Sequence, residues 1–238
     1  MARYAIGDVH GCLRTLEALL QQIGPGHGDT LIFLGDYIDR GPHSKGVLDL
    51  LMHLPEQGIA SICLKGNHEV LLLDACRTPG QVAINRWVRN GGLQTLQSFG
   101  LDPLRADKMP EHYLVWLEQL PIFYSSGNFV CVHAGLDLQA NDPLEPNEAT
   151  MLWIRNWLDE AEMERRLSGL RVLHGHTPQQ RWVLEQSRED KRPALDLDTG
   201  CVYHDRDEAL GWLTAYDLDR DRLIFTRYQE EDHSPGTF

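Results

Sequence analysis

Three short stretches carry side chains that bind hard cations: Gly7-Asp8-Val9-His10-Gly11, Gly35-Asp36-Tyr37-Ile38-Asp39-Arg40-Gly41 and Gly66-Asn67-His68-Glu69. Asp8 and His10 stand two apart, and at the end of an extended run such residues point to one face, so both can ligate one ion. Asp36 suits a bridging role, because one carboxylate can hold two cations about 3.5–4 Å apart. Asn67 offers a neutral carbonyl oxygen to the second ion. Two later imidazoles complete the set, His133 in Val132-His133-Ala134-Gly135 and His176 in Gly175-His176-Thr177-Pro178. Mixed nitrogen and oxygen ligands favour Mn, Fe or Zn over Ca or Mg.

Each of the first three stretches follows an apolar run: Tyr4-Ala5-Ile6, Thr30 to Leu34 and Ile59 to Leu64. Continuous apolar runs of this length read as buried parallel strands, which would deliver all three motifs to one sheet edge, where open α/β sheets bind ligands. Between them, leucines recur at helical spacing from Leu13 to Ile23 and from Val47 to Leu54, and a third helix is expected from Glu69 to Cys76. Residues 3–76 therefore read β-α-β-α-β-α, with right-handed crossovers. Residues 81–120 have helical period, with Trp87, Val88, Leu93, Leu96, Leu114, Trp116 and Leu117 as core, and are expected to form a cap-like helical insertion at about 77–120. Strand patterns return at Ile122–Ser125, Phe129–Val132, Arg171–Leu173, Ala194–Leu197, Leu213–Leu218 and Leu223–Tyr228, with a helix expected over Met151–Leu158. The fold class is α/β, a second sheet packed on the first with helices outside. The polar tail from Glu230 to Phe238 is expected to fray.

At 238 residues, without a Gly/Ser tract or a repeat, the chain reads as a single domain over 1–238. A formal charge of −13 argues against a nucleic-acid partner, which needs clustered Lys and Arg. The five cysteines are odd in number and form no Cys-x-x-Cys pair, so they read as buried free thiols in a reducing compartment. With no signal peptide ahead of the first strand and no apolar run of about 18 residues, a cytoplasmic protein without a membrane partner is expected.

Taken together, the motifs GDVHG, GDYIDRG, GNHE, HAGL and GHTP resemble those of the phosphoprotein phosphatase superfamily of calcineurin-like metallophosphoesterases, particularly its small bacterial and phage members. They run from residue 7 to 178, and Asp198-Thr199-Gly200 resembles a late turn of the family. The resemblance implies two packed mixed β-sheets flanked by helices, and two divalent metal ions, with Mn²⁺ preferred. It places one metal on Asp8, His10 and Asp36, and the other on Asp36, Asn67, His133 and His176; His176 is preferred to His174 because it directly precedes Thr-Pro. A hydroxide bridging the metals would attack phosphorus in line, and such water ionises near neutrality. Arg40, Arg155 and Asn67 would hold phosphate oxygens, the arginines through a planar fork that a lysine lacks. The bland alternative for Arg155 is a surface helix arginine. His68, oriented by Asp39, would protonate the leaving group, and Glu69 reads as a supporting residue.

Two substrates compete. Serine/threonine phosphatases need an acid for a poor alkoxide leaving group, and this chain keeps both Asp39 and Glu69, which favours a phosphoprotein substrate. The alternative is a small phosphorylated substrate, a dinucleoside tetraphosphate cleaved symmetrically by a close relative of the same centre, a group whose pattern usually lacks the second Asp. A non-catalytic metal-binding module would be marked by a lost ligand, and none is lost.

Overall fold

The computed structural model of the protein describes residues 1–78, 80–103 and 105–230. Strands β1 (Arg3–Ile6), β2 (Thr30–Phe33) and β3 (Ala60–Cys63) alternate with helices α1 (Leu13–Ile23), α2 (Ser44–His53) and α3 (Asn67–Arg77). The strands pair in parallel, Ile6 opposite Phe33 and Phe33 opposite Cys63, so their carboxyl ends are level. Helices α4 (Gln81–Trp87), α5 (Leu93–Ser98) and α6 (Glu111–Glu118) follow. Next come β4 (Phe123–Ser126), β5 (Phe129–Val132), α7 (Glu148–Met151), α8 (Glu160–Leu167), β6 (Arg171–His174), α9 (Arg181–Glu189) and β7 (Ala194–Asp196). The hairpin β8 (Trp212–Asp217) and β9 (Arg222–Arg227) ends the fold.

One sheet has the order β3-β2-β1-β8-β9 and the other β4-β5-β6-β7, each mixing parallel and antiparallel pairs. The period-two alternation of strand side chains explains the layering. Tyr4, Ile6, Leu31 and Phe33 join the core under α1–α3, whereas Ala5, Ile32 and Leu34 face inward and meet Cys131, Leu173 and Leu195 of the second sheet. Val130, Val132 and Val172 point outward from that sheet, under Met163 and Leu167 of α8. Trp87, Leu96, Tyr113, Leu114 and Leu117 of α4 to α6 extend the same core as α1–α3. The five cysteines are free, and four of them are buried. Among the described residues no helix is long and apolar enough to cross a membrane.

Two expectations need correction. The helix expected over Met151–Leu158 is instead the single turn α7, Glu148–Met151, capped by the Asn147 side chain. Asn156 has φ +54, which stops a helix, and Trp157 is buried so tightly against Gly135 that a Cβ there would lie 2.2 Å from the indole nitrogen. Burying Trp157 outweighs the helical periodicity. In the tail, residues 231–238 lie outside the described residues, but Glu230 is buried. Its carboxylate accepts hydrogen bonds from Thr15 N (2.9 Å), Thr15 Oγ1 (3.0 Å) and Arg14 N (3.2 Å) at the start of α1. These N–H groups have no partner inside the helix, so Glu230 serves as a cap brought from the far end of the chain.

Candidate dinuclear metal centre

The loops that leave β1, β2, β5 and β6 carry Asp8 and His10, Asp36, His133, and His176 to one shared edge, where the first turn of α3, directly after β3, adds Asn67 and His68. All seven side chains are buried. Ligand atoms of His10, Asp36 and His68 lie within 4.8 Å of one another, and so do those of Asp36, His133 and His176. Asp36 belongs to both trios: its carboxylate is 3.6 Å from His10 Nε2 and 3.4 Å from His133 Nε2. Asn67 Oδ1 stands 2.9 Å from both His133 Nε2 and His176 Nδ1. Asp8 is outside the two trios; its carboxylate accepts the backbone N–H of His176 at 3.1 Å. His174 lies away from the trios, its ring against Trp157, 5.3 Å between centroids.

The backbone here is strained in a revealing way. His10, Asp36, Asp39, Arg40 and His176 all have positive φ, a conformation that non-glycine residues adopt at a cost of order 1–3 kcal/mol each. Such strain persists where the surrounding structure imposes it, and it clusters at functional sites. Close approach is imposed too. A Cβ on Gly66 would lie 2.2 Å from Asp36 Oδ1, and one on Gly175 would lie 2.1 Å from Asp8 Oδ1. The Glu69 carboxylate, accepting from the N–H groups of Asp36, Tyr37 and Gly66 at 2.8–2.9 Å, ties the second and third motifs together.

The donor set fits divalent cations. Nδ1 of His10 donates to Ile38 O, and Nδ1 of His133 donates to Leu34 O, each at 2.9 Å; in the neutral ring this leaves Nε2 with a lone pair, the form a metal binds. Burial lowers the pKa of both rings, which keeps them neutral. His176 Nε2 is buried with no hydrogen-bond partner. Burial, then the neighbouring Asp198 and Asp36 charges, pushes Asp8 well above the usual carboxylate range, and burial pushes Asp198 up to about 6. Crowded carboxylates of this kind are relieved by bound cations, the largest local charges in such a site.

His68 differs from the other imidazoles. Its Nδ1 lies 2.7 Å from Asp39 Oδ2, and although burial opposes the charged ring, Asp36 and Asp39 outweigh it and hold the pKa above its ordinary value. Asp39 is fully buried and itself anchored: Trp87 Nε1–H donates to both of its oxygens at 2.9 Å, and Thr95 Oγ1 donates to Oδ1 at 2.7 Å. The sequence alone places Trp87 in the core and marks the Asn90-Gly91-Gly92…Thr95 segment without giving Thr95 a part in the site. Arg40 hydrogen-bonds His10 Nε2, and its backbone N–H donates to Gly91 O at 3.1 Å. Arg155 sits in the exposed turn after α7, not on a helix, and donates to Thr177 Oγ1 at 2.9 Å, next to His176.

Two packed mixed sheets that deliver a buried Asp/His/Asn cluster to a shared edge define a metallophosphoesterase. The chain belongs to the calcineurin-like phosphoesterase family, whose model matches residues 1–225. It is 36% identical over 137 residues to a symmetrical bis(5'-nucleosyl)-tetraphosphatase of Neisseria meningitidis, covering 57% of this chain and 44% of that protein. A namesake from Pseudomonas fluorescens is 24% identical over 263 residues, covering 85% of each chain. The chain thus spans less than half the length of several curated relatives that it matches. Its fold is similar to a serine/threonine phosphatase from Saccharomyces cerevisiae, with a TM-score of 0.65 at 18% identity over 99% of this chain and 82% of that one. It is also similar to a candidate diadenosine tetraphosphatase, with a TM-score of 0.62 at 24% identity over 97% and 95%. Likeness at these identities shows the fold alone.

Proposed function

We propose that this chain is a metal-dependent hydrolase of dinucleoside tetraphosphates, cleaving the central anhydride so that water adds to one phosphorus and two nucleoside diphosphates leave. This reverses the order expected from the motifs, where the protein-phosphatase reading came first. The observation that carries it is the 34–37% identity to several symmetrical tetraphosphatases over 137–139 residues, 57% of this chain. Asp8, His10 and Asp36 would hold one divalent cation, and Asp36, Asn67, His133 and His176 the other; the mixed N/O donors suit Mn, Fe or Zn, and Mn²⁺ is the proposed ion on the family resemblance. When bound, the cations would supply Lewis-acid charge to a phosphoryl oxygen and lower the pKa of water. Arg40 and Arg155 bind the phosphoryl oxygens of the substrate through bidentate forks. His68 gives its proton to the departing oxygen, and Asp39, fixed by Trp87 and Thr95, keeps the ring aimed.

That intact dyad also favours a second reading, hydrolysis of phosphoserine or phosphothreonine esters, because an alkoxide leaving group needs the proton more than a diphosphate does. The test is kcat/KM for diadenosine tetraphosphate beside a phosphoserine peptide, with one metal-loaded preparation. A preference of more than about tenfold for the tetraphosphate supports the first reading; a preference for the peptide overturns it in favour of the second.

A further inference from the structure

Beside Arg40 the surface opens into a cavity of about 440 Å³, lined by Arg40, Arg89, Asn90, Tyr203 and Arg206 among others. Its walls come from three distant parts of the chain: the second motif, the turn between α4 and α5, and the loop that leads into β8. The Tyr203 ring seats two cations, with the guanidinium carbon of Arg206 4.3 Å and that of Arg40 5.5 Å from its centroid. Such stacking holds an arginine in place without neutralising it. Among the described residues, none of the three arginines is ion-paired to a carboxylate, whereas Arg77 and Arg86 nearby in sequence each are. Asp205 is the one carboxylate in the lining, set against three guanidiniums. In a chain of formal charge −13, this is a local excess of positive charge held open beside the metal cluster. Arg40 joins the two places, touching His10 on one side and lining the cavity on the other.

We propose that this cavity is a second phosphate subsite, which binds a phosphate group joined by an anhydride bridge to the one being hydrolysed. Arg89 and Arg206 grip its oxygens, Arg40 spans both phosphates, and Tyr203 positions the guanidiniums. Planar forks on converging arginines match phosphate oxygens in pairs, which suits an oligophosphate better than a lone phosphoester. The inference rests on the tetraphosphate reading but can fail separately from it.

The probes are methylenediphosphonate, a non-hydrolysable P–C–P analogue, and methylphosphonate. Both are titrated calorimetrically into the metal-loaded protein with divalent cation in fixed excess, and the readout is the ratio of their dissociation constants. The wild type is expected to bind the diphosphonate about a hundredfold more tightly, and each guanidinium removed should weaken that preference on the order of tenfold. In an Arg89→Ala/Arg206→Ala variant the ratio should therefore fall close to one; both side chains are exposed, so the fold should tolerate the change. Tyr203→Leu should give an intermediate ratio. An absent preference in the wild type, or one undiminished in the double variant, overturns the subsite, even if diadenosine tetraphosphate proves to be cleaved. A ratio that collapses as expected upholds the subsite, even if the tetraphosphate proves a poor substrate and the function reading falls. An adenosine-bearing diphosphonate as a third probe separates the two sources of such a ligand: tighter binding than the bare diphosphonate marks a nucleotide, equal binding an inorganic oligophosphate, and either upholds the subsite.

Discussion

The two ligand trios are held by different parts of the fold. His10, Asp36 and His68 all leave strands of one sheet, whose parallel register fixes their spacing. His133 and His176 leave the second sheet, so the trio they form with Asp36 exists only while the two sheets stay packed through Ile32, Leu34, Cys131 and Leu173. The first trio is thus a local product of β-α-β loops, and the second a product of tertiary packing. Asp36 is the residue on which both depend.

The largest effect should therefore follow from Asp36→Asn. Removing the shared charge weakens both cation sites at once, and hydrolysis of an aryl phosphate should drop by more than the roughly 10²–10³-fold typical of losing one charge-stabilising group. Metal analysis should show both sites depleted. If only one ion is lost, the sites are independent and the comparison between trios breaks. Chelation of the wild type should abolish activity and lower the melting temperature, since Asp8 and Asp198 are left crowded and uncompensated. Full activity in protein verified to be metal-free would refute the centre.

Next in size is His68→Asn, which asks whether the first trio carries an acid that the second lacks. With a phosphoserine peptide, the loss should be roughly 10²–10⁴-fold. With an aryl phosphate, whose leaving anion is stable without a proton, it should be far smaller. Equal losses on both substrates, with metal content unchanged, would mean that His68 positions phosphate or the attacking water and is not the acid; depleted metal would assign it to metal binding, a role its place in the His10–Asp36 trio also permits.

A smaller effect is expected from Trp87→Phe, which removes one N–H from Asp39 while keeping an aromatic ring in the core. Partners one step from a metal or acid residue typically matter by about 10–100-fold, and the lower end applies because Thr95 still holds Asp39. The loss should show the same leaving-group dependence as His68→Asn. A loss equal on all substrates would mean that Trp87 acts only through packing.

The trios also differ in how much the sequence showed. Parallel strands buried on both faces are short apolar runs, and the Gly-bracketed motifs mark where each ends, so β1 to β3 and their ligands stood out. His133 and His176 were legible as motifs, and the late run of strands pointed to a second packed sheet, but only the family resemblance, and no local pattern, joined them to Asp36. Trp87 was hidden by its own hydrophobicity, because a periodic apolar pattern says nothing about where an indole N–H points. The turn carrying Arg155 was misread because Met151 to Leu158 has helical period, while Trp157 finds its burial against Gly135, remote in sequence. Tyr203 and Arg206 meet Arg89 only in three dimensions.

The smallest effect on catalysis should come from Glu230, which supports the first trio from outside it. Its carboxylate reaches Thr15 and Arg14 at the start of α1, just past the turn that carries His10. Helix N-termini have orphan N–H groups and a partial positive charge, so an acidic acceptor satisfies both needs. Losing a cap of this kind typically costs about 0.5–2 kcal/mol. For a chain of this length, that corresponds to a fall in melting temperature of a few degrees, at about 2–4 °C per kcal/mol. Glu230→Ala should show this fall, while kcat/KM for an aryl phosphate at 25 °C stays within about twofold, because β1 still fixes His10 through its register with β2. Glu230→Gln keeps an acceptor and should recover part of the stability. If Glu230→Ala instead depletes metal or reduces activity strongly, the start of α1 helps to shape the first trio, and the strand register alone does not secure it.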